Sequence, residues 1–265
     1  MPVVRANGVN LYYELSGERG EAMVLIHGSW GDHHNWDRVV PGLSKNFRVL
    51  TYDRRGHSQS EKVATQGSFD QDAEDAATLI EQLGLAPANI VGNSGGSSIS
   101  LKLAAKHPTI FRSLTVHEPP LFELLGDDPT TAPMLMETKR KAEQVAKLIH
   151  QGDMVEAAHL FVETLAFGPG QWDKLTPRSK ETFIINAETF LDETKDPTGL
   201  TVDVKALSQF RKPTMLTYGG NSPPPFKPII EKLARIIPSS KVSDYPDAGH
   251  TPHISHPDEF VRKVA

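Results

Sequence analysis

The chain has 265 residues, with 28 Lys and Arg against 33 Asp and Glu for a net charge of −5, 11 His, 20 Gly, 20 Pro and no Cys. Its 38% hydrophobic and 23% charged residues are globular values, and a chain this long buries roughly 70–75% of its unfolded surface, enough for one large α/β domain with insertions or two smaller domains. The composition excludes a disulfide scaffold, a thiolate zinc site, an Fe–S cluster and a cysteine nucleophile, offers no electrostatic footprint for nucleic acid, and contains no run near the ~18 apolar residues of a membrane span.

In chain order, Val9 to Leu15 alternates as a strand does, and Met23 to Ile26 and Phe47 to Tyr52 are short apolar runs of buried-strand type. Phe69 to Leu83 carries Ala73, Ala76, Ala77, Ile80 and Leu83 at helical spacing and stops at Gly84. Ile90 to Val91 reads as a further strand, Ile99 to His107 as a helix closed by Pro108, and Leu114 to Val116 as the next strand. Strand and helix in repeated alternation predict a mostly parallel sheet with right-handed crossovers, whose strand carboxyl ends share one edge where such sheets bind ligands.

From Pro119 to Phe210 the alternation stops. Ala142, Val145, Ala146 and Ile149 recur with helical period, as do Met154, Ala157, Ala158, Phe161 and Leu165, and Thr182 to Phe190 adds another helical stretch. Residues 119–210 are therefore expected to form a helical insertion, with residues 1–118 and 211–265 as the core. Thr214 to Tyr218 resumes the sheet, and Pro223-Pro224-Pro225 reads as a stiff turn. The opening MPVVRANGVNLYYELSG lacks the apolar stretch and small-residue cleavage site of a signal peptide, so a cytoplasmic protein is expected.

The segment Asn89-Ile90-Val91-Gly92-Asn93-Ser94-Gly95-Gly96 places G-x-S-x-G directly after a strand and before a helix. A serine on so sharp a turn needs small neighbours, and the helix that follows aims its first N–H groups at developing negative charge. Met23 to Ile26 runs into His27-Gly28-Ser29-Trp30, where a backbone N–H can pair with that of Gly95, and Phe47 to Tyr52 ends in the charged turn Asp53-Arg54-Arg55-Gly56-His57.

These three motifs in this order, with Ala248-Gly249-His250 and Pro257-Asp258-Glu259-Phe260 at the end, resemble the α/β-hydrolase fold superfamily over essentially the whole chain. The resemblance implies a helical cap inserted after the sixth strand, Ser94 as nucleophile, His250 as general base, and an oxyanion hole from the N–H groups of Ser29 and Gly95, with His27 shaping that turn. Relatives usually carry an Asp after the strand that follows the cap. Here that turn reads Gly219-Gly220-Asn221-Ser222 and has no carboxylate. Haloalkane dehalogenases and resorcylic lactone hydrolases carry a Glu after the strand beside the nucleophile strand, and Val116-His117-Glu118-Pro119 offers Glu118 there, with Asn221 and Ser222 as the alternatives.

A serine nucleophile favours acyl transfer, and the aromatic insertion favours a covered apolar pocket for a small or medium hydrophobic ester or lactone, lined by Trp30, Phe122, Leu125, Phe161 and Trp172. Serine relatives also include C–C bond hydrolases, perhydrolases, prolyl aminopeptidases, lyases and cofactor-free dioxygenases. An aminopeptidase would need an acid such as Glu123, Asp127 or Asp128 to hold the substrate amine, and a noncatalytic receptor on the same scaffold would show a damaged triad. Metal chemistry is disfavoured. Asp32-His33-His34 does not complete a zinc pattern, and Pro252 and Pro257 interrupt the helix that would align His250, His253 and His256. The sequence thus predicts a serine esterase or lactonase with no cofactor and no metal, whose partner is a small-molecule substrate rather than nucleic acid or membrane, a homodimer being the one assembly left open.

Overall fold

A computed structural model describes residues 2–265. Eight strands form one sheet: β1 (Val3–Ala6), β2 (Val9–Ser16), β3 (Glu21–Ile26), β4 (Phe47–Tyr52), β5 (Ala88–Asn93), β6 (Phe111–His117), β7 (Thr214–Gly219) and β8 (Ser240–Tyr245). Their spatial order is β1-β2-β4-β3-β5-β6-β7-β8. β1 and β2 pair antiparallel, β2 pairs antiparallel with β4, and all pairs from β4 to β8 are parallel. The four-residue β1 is too short to stand out in the sequence, and its ladder with β2 extends the sheet at one edge.

The central strands are covered on both faces, which is why β3 and β5 read as apolar runs instead of alternating. Helix Phe69–Gln82 begins at Ser68, whose hydroxyl accepts from the Gln71 N–H, and buries Ala73, Ala76, Ala77 and Ile80. Helix Gly95–Lys106 follows β5 and lies unusually close to β3. A Cβ at Gly96 would stand 2.1 Å from the Ile26 carbonyl oxygen, and one at Gly92 would stand 2.5 Å from the Gly96 oxygen. Those two glycines are the price of bringing a helix start hard against two strand ends.

Between β6 and β7 run helices Ala132–His150, Met154–Phe161, Pro177–Asn186 and Thr189–Lys195, where the sequence predicts the insertion. They share an apolar cluster of their own in which Trp30 from the core is embedded. Asn186, fully buried, fixes them to the core: its amide donates to the carbonyl oxygens of Trp30 and Gly31, and its Oδ1 accepts from the Ser58 N–H. Among the described residues no helix is long and apolar enough to cross a membrane.

Candidate active site

Ser94 stands where β5 ends and the next helix begins, with φ 54° and ψ −124°. This is a strained conformation for a residue with a Cβ, of order 1–3 kcal/mol, and the surroundings over-determine it. The Ser94 N–H donates to the His117 carbonyl at 2.8 Å, and its own carbonyl accepts from the Ser97 N–H at 2.8 Å. Gly28 presses from the other side, since a Cβ there would lie 2.9 Å from Ser94 Cβ. The β3 turn is bridged to the β4 turn by His27, which uses Nδ1 for the Gly28 carbonyl at 2.8 Å and accepts the Arg54 N–H at Nε2.

Ser29 and Gly95 are adjacent as expected. A Cβ on Gly95 would meet the Ser29 nitrogen at 3.2 Å and its Oγ at 2.9 Å. Gly95 is the first residue of its helix, so its N–H has no intrahelical acceptor.

His250 follows β8 in a loop tied to the serine turn by the Asn93 amide, which donates to the His250 carbonyl at 2.9 Å. Its Nδ1 lies 2.6 Å from Glu118 Oε2, and the other carboxylate oxygen accepts from the Gly219 N–H at 2.6 Å. Glu118 is fully buried and, like Ser94, holds a positive φ of 49°. Burial alone would push its carboxyl up, yet the imidazoles of His117 and His250 and the Gly219 N–H outweigh that and hold it at about 2. An ionised Glu118 accepts only, so Nδ1 of His250 is the donor in this contact, and the tautomer of the neutral ring that it favours is the one with a lone pair on Nε2. Asn221 turns away to donate to the Asp247 carbonyl, and the buried Ser222 hydroxyl has no partner among the described residues. Phe226 stacks on the His250 ring with centroids 4.6 Å apart.

Ser29, Ser94 and His250 open onto one cavity of about 580 Å³, with Phe122, Phe161 and Phe190 on its wall. Of the five expected pocket residues, Phe122 and Phe161 line it. Trp30 does not: it is fully buried and stacks on Phe161 at 4.5 Å, joining the inserted helices to the core. Leu125 is buried in the sheet core, and Trp172 packs outside the cavity against His159 and Lys180. The apolar and aromatic composition that singled these out serves packing at those three positions. Phe190, one of the aromatic residues of the insertion, also lines the cavity, while Phe226 and Glu193 are wall residues the sequence reading missed. Phe226 had a signal, since it follows the turn after β7 at the edge that carries the site.

The histidine-rich segments are held by hydrogen bonds and packing of their own. Nδ1 of His33 meets Asp53 at 2.6 Å, and that carboxylate also accepts the N–H groups of His33 and Gln59. Asp32, which completes a compact group with them, is engaged by the His34 N–H and the Ser58 hydroxyl. His253 lies fully buried against Trp36, while His256 sits beside Ser255, so neither converges with His250.

Burial drives the pKa of His27, His57 and His253 well below the usual imidazole value and that of His117 to about 4. The unfolded chain binds these protons near its ordinary histidine value of about 6.5 while the folded chain does not, so the stabilisation is complete above that pH and lost below it. Each such group makes the folded state bind fewer protons than the unfolded chain as pH falls through the histidine range, while His33, raised by Asp53, acts the other way. Asp32 and Glu193, raised chiefly by burial, oppose this at the acid end. Urea melts from pH 7 to 5 will therefore show a steep fall in unfolding free energy. His253→Phe, which replaces a ring with two unpartnered nitrogens, will flatten that fall.

A strained serine at a strand-to-helix turn, an imidazole held by a buried carboxylate and two adjacent backbone N–H groups thus meet on one edge of an α/β sheet. Residues 21–257 match the family model of the alpha/beta hydrolase fold, and the chain belongs to that family. It is 33% identical over 147 residues to the uncharacterized hydrolase YraK of Bacillus subtilis, covering 54% of each chain, so it spans about half the length of that relative. It is 23% identical over 250 residues to the sn-1-specific diacylglycerol lipase ABHD11 of Mus musculus, covering 92% of this chain and 79% of the other. The enol-lactonase from Burkholderia xenovorans LB400 superposes with a TM-score of 0.81 at 22% identity, over 99% of this chain and 98% of that one. That likeness establishes the shared fold.

Proposed function

We propose that the protein is a cofactor-independent serine hydrolase that cleaves small or medium hydrophobic carboxylic esters or lactones through an acyl-enzyme. The observation that carries this is the 2.6 Å contact between His250 Nδ1 and Glu118, made by a histidine that lines one cavity with Ser94. Nε2 takes the Ser94 hydroxyl proton as Oγ attacks the carbonyl carbon, and the oxyanion receives the Ser29 and Gly95 N–H groups. The imidazolium then gives its proton to the leaving alkoxide as the carbon–oxygen bond breaks. Water, deprotonated by the same nitrogen, releases the acid and restores Ser94. The inserted helices act as a cap whose aromatic wall excludes bulk water. The ester-cleaving lipase among the relatives and the lactonase among the structural neighbours support the bond type without choosing the substrate.

The test is a panel of p-nitrophenyl esters of increasing acyl length beside aromatic and aliphatic lactones, together with labelling by a fluorophosphonate. Turnover of short and medium chains, with the phosphonate mass on the peptide containing Ser94, is the expected result. An unlabelled Ser94 and no turnover anywhere in the panel would redirect the chemistry to C–C cleavage, perhydrolysis, lyase or dioxygenase action on the same scaffold.

A further inference from the structure

The serine-hydrolase reading leaves open which esters or lactones the cavity accepts, and one buried acid bears on that choice. Glu193, on the helix Thr189–Lys195, lines the same cavity as Ser94 and His250 although its side chain is only 11% exposed. Its Oε1 accepts from both terminal nitrogens of Arg54, at 3.3 and 3.2 Å, and the same guanidinium donates to the Gly28 carbonyl, next to Ser29 on the oxyanion turn, at 3.3 Å. A carboxylate offers about four lone-pair sites, and both of these donors fall on Oε1, so Oε2 keeps its acceptor capacity.

The local charge does not cancel. Arg54 is buried and divided between Glu193 and Asp72, whose carboxylate it meets at 2.9 Å, so one cation serves two anions. Across the cavity wall the remaining charged groups are Glu123, Glu143 and Asp196 against Lys139. Asp196 is engaged by the Phe69 N–H and by Thr198, and Glu123 and Glu143 are exposed, so Glu193 is the buried carboxylate beside the carbonyl-binding turn that can still accept. Burial pushes its carboxyl up against the pull of Arg54 and Ser29, which means that the ionised form gains from each further donor.

We propose that Glu193 is a specificity-determining residue: it selects substrates that carry a hydrogen-bond donor, hydroxyl or ammonium, next to the scissile carbonyl, and turns away substrates that carry a carboxylate there. A donor completes the lone pairs of a buried acceptor, whereas a second anion meets uncompensated negative charge in a cavity shielded from water.

The experiment compares four γ-butyrolactones by pH-stat: the unsubstituted ring, the α-hydroxy and α-amino derivatives, and a ring carboxylate. The wild type is expected to prefer the α-hydroxy and α-amino rings over the plain one by about tenfold or more in kcat/KM and to disfavour the carboxylate by a similar factor. Glu193→Gln will lose most of the ammonium preference, keep part of the hydroxyl preference and raise the carboxylate ratio. The two donor rings separate a neutral from a cationic substrate. Equal specificity constants for all four rings in the wild type, or ratios that Glu193→Gln does not move, overturn the proposal while leaving serine hydrolysis intact. Calorimetric binding of the same four rings to Ser94→Ala gives the same contrast without turnover, so a failure of the hydrolase reading is distinguished from a failure of this one. It also decides the matter if Glu193→Gln does not fold.

Discussion

Ser94→Ala is expected to lower ester or lactone turnover by on the order of 10⁶ and leave the protein folded. Removing a nucleophile from a serine triad costs about as much as removing the whole triad, because the remaining members have nothing to activate. Folding survives because the turn is held by backbone contacts that Ala retains: the Ser94 N–H on the His117 carbonyl, the Ser97 N–H on the Ser94 carbonyl, and the glycines that let the helix approach β3. Ser94→Gly separates strain from chemistry more sharply. It is equally inactive, yet it relieves a φ of 54° and so gains about 1 kcal/mol of stability once glycine's larger unfolded-state entropy is subtracted. Thermal melts beside steady-state rates check both. Full turnover in either variant would sink the mechanism.

The site was legible where a residue's chemistry and its local backbone are tied together. Ser94 needs glycines two positions away on each side, and the 2.1 Å and 2.5 Å approaches at Gly96 and Gly92 show why no larger residue fits. Glu118 and His250 could be placed because both follow strands, and the ends of parallel strands gather on one edge. The pocket wall was not legible in the same way. Trp30, Leu125 and Trp172 have the composition expected of a substrate wall, but which side an inserted helix turns to the cavity depends on how the helices pack on one another. Trp30 shows this plainly, sitting beside Ser29 in sequence and under Phe161 in space. The Arg54–Glu193 contact joins residues 139 positions apart, and no local pattern marks it. The histidines were hidden for a different reason. Periodicity reports apolar faces, so a neutral imidazole in the core, such as His253 or His117, reads as a polar interruption until burial is known.

Glu118→Gln is expected to lower kcat by about 10³–10⁴, because the glutamine presents an N–H to His250 and favours the tautomer whose Nε2 is already protonated. The proton then sits on the nitrogen that must receive the one from Ser94. Gly219 can still donate to the amide oxygen, so the loss comes from charge and tautomer while the shape is kept. The same change acts on stability with a defined sign. The Glu118 carboxyl is lowered to about 2 in the fold, so its contribution is present above about 4.5, the ordinary glutamate value, and lost as pH falls through about 2. The variant will thus be less stable than the wild type at neutral pH by up to about 3 kcal/mol, and the gap will close toward pH 2. Glu118→Asp keeps the charge but withdraws it by one methylene from a 2.6 Å contact, so it should recover part of the rate. A residue that only ties backbone together at the β6 end would not show that partial rescue. If Glu118→Gln turns over near the wild-type rate and Asn221→Ala or Ser222→Ala does not, the residue that supports His250 lies after β7 instead of β6, and the 2.6 Å contact is structural.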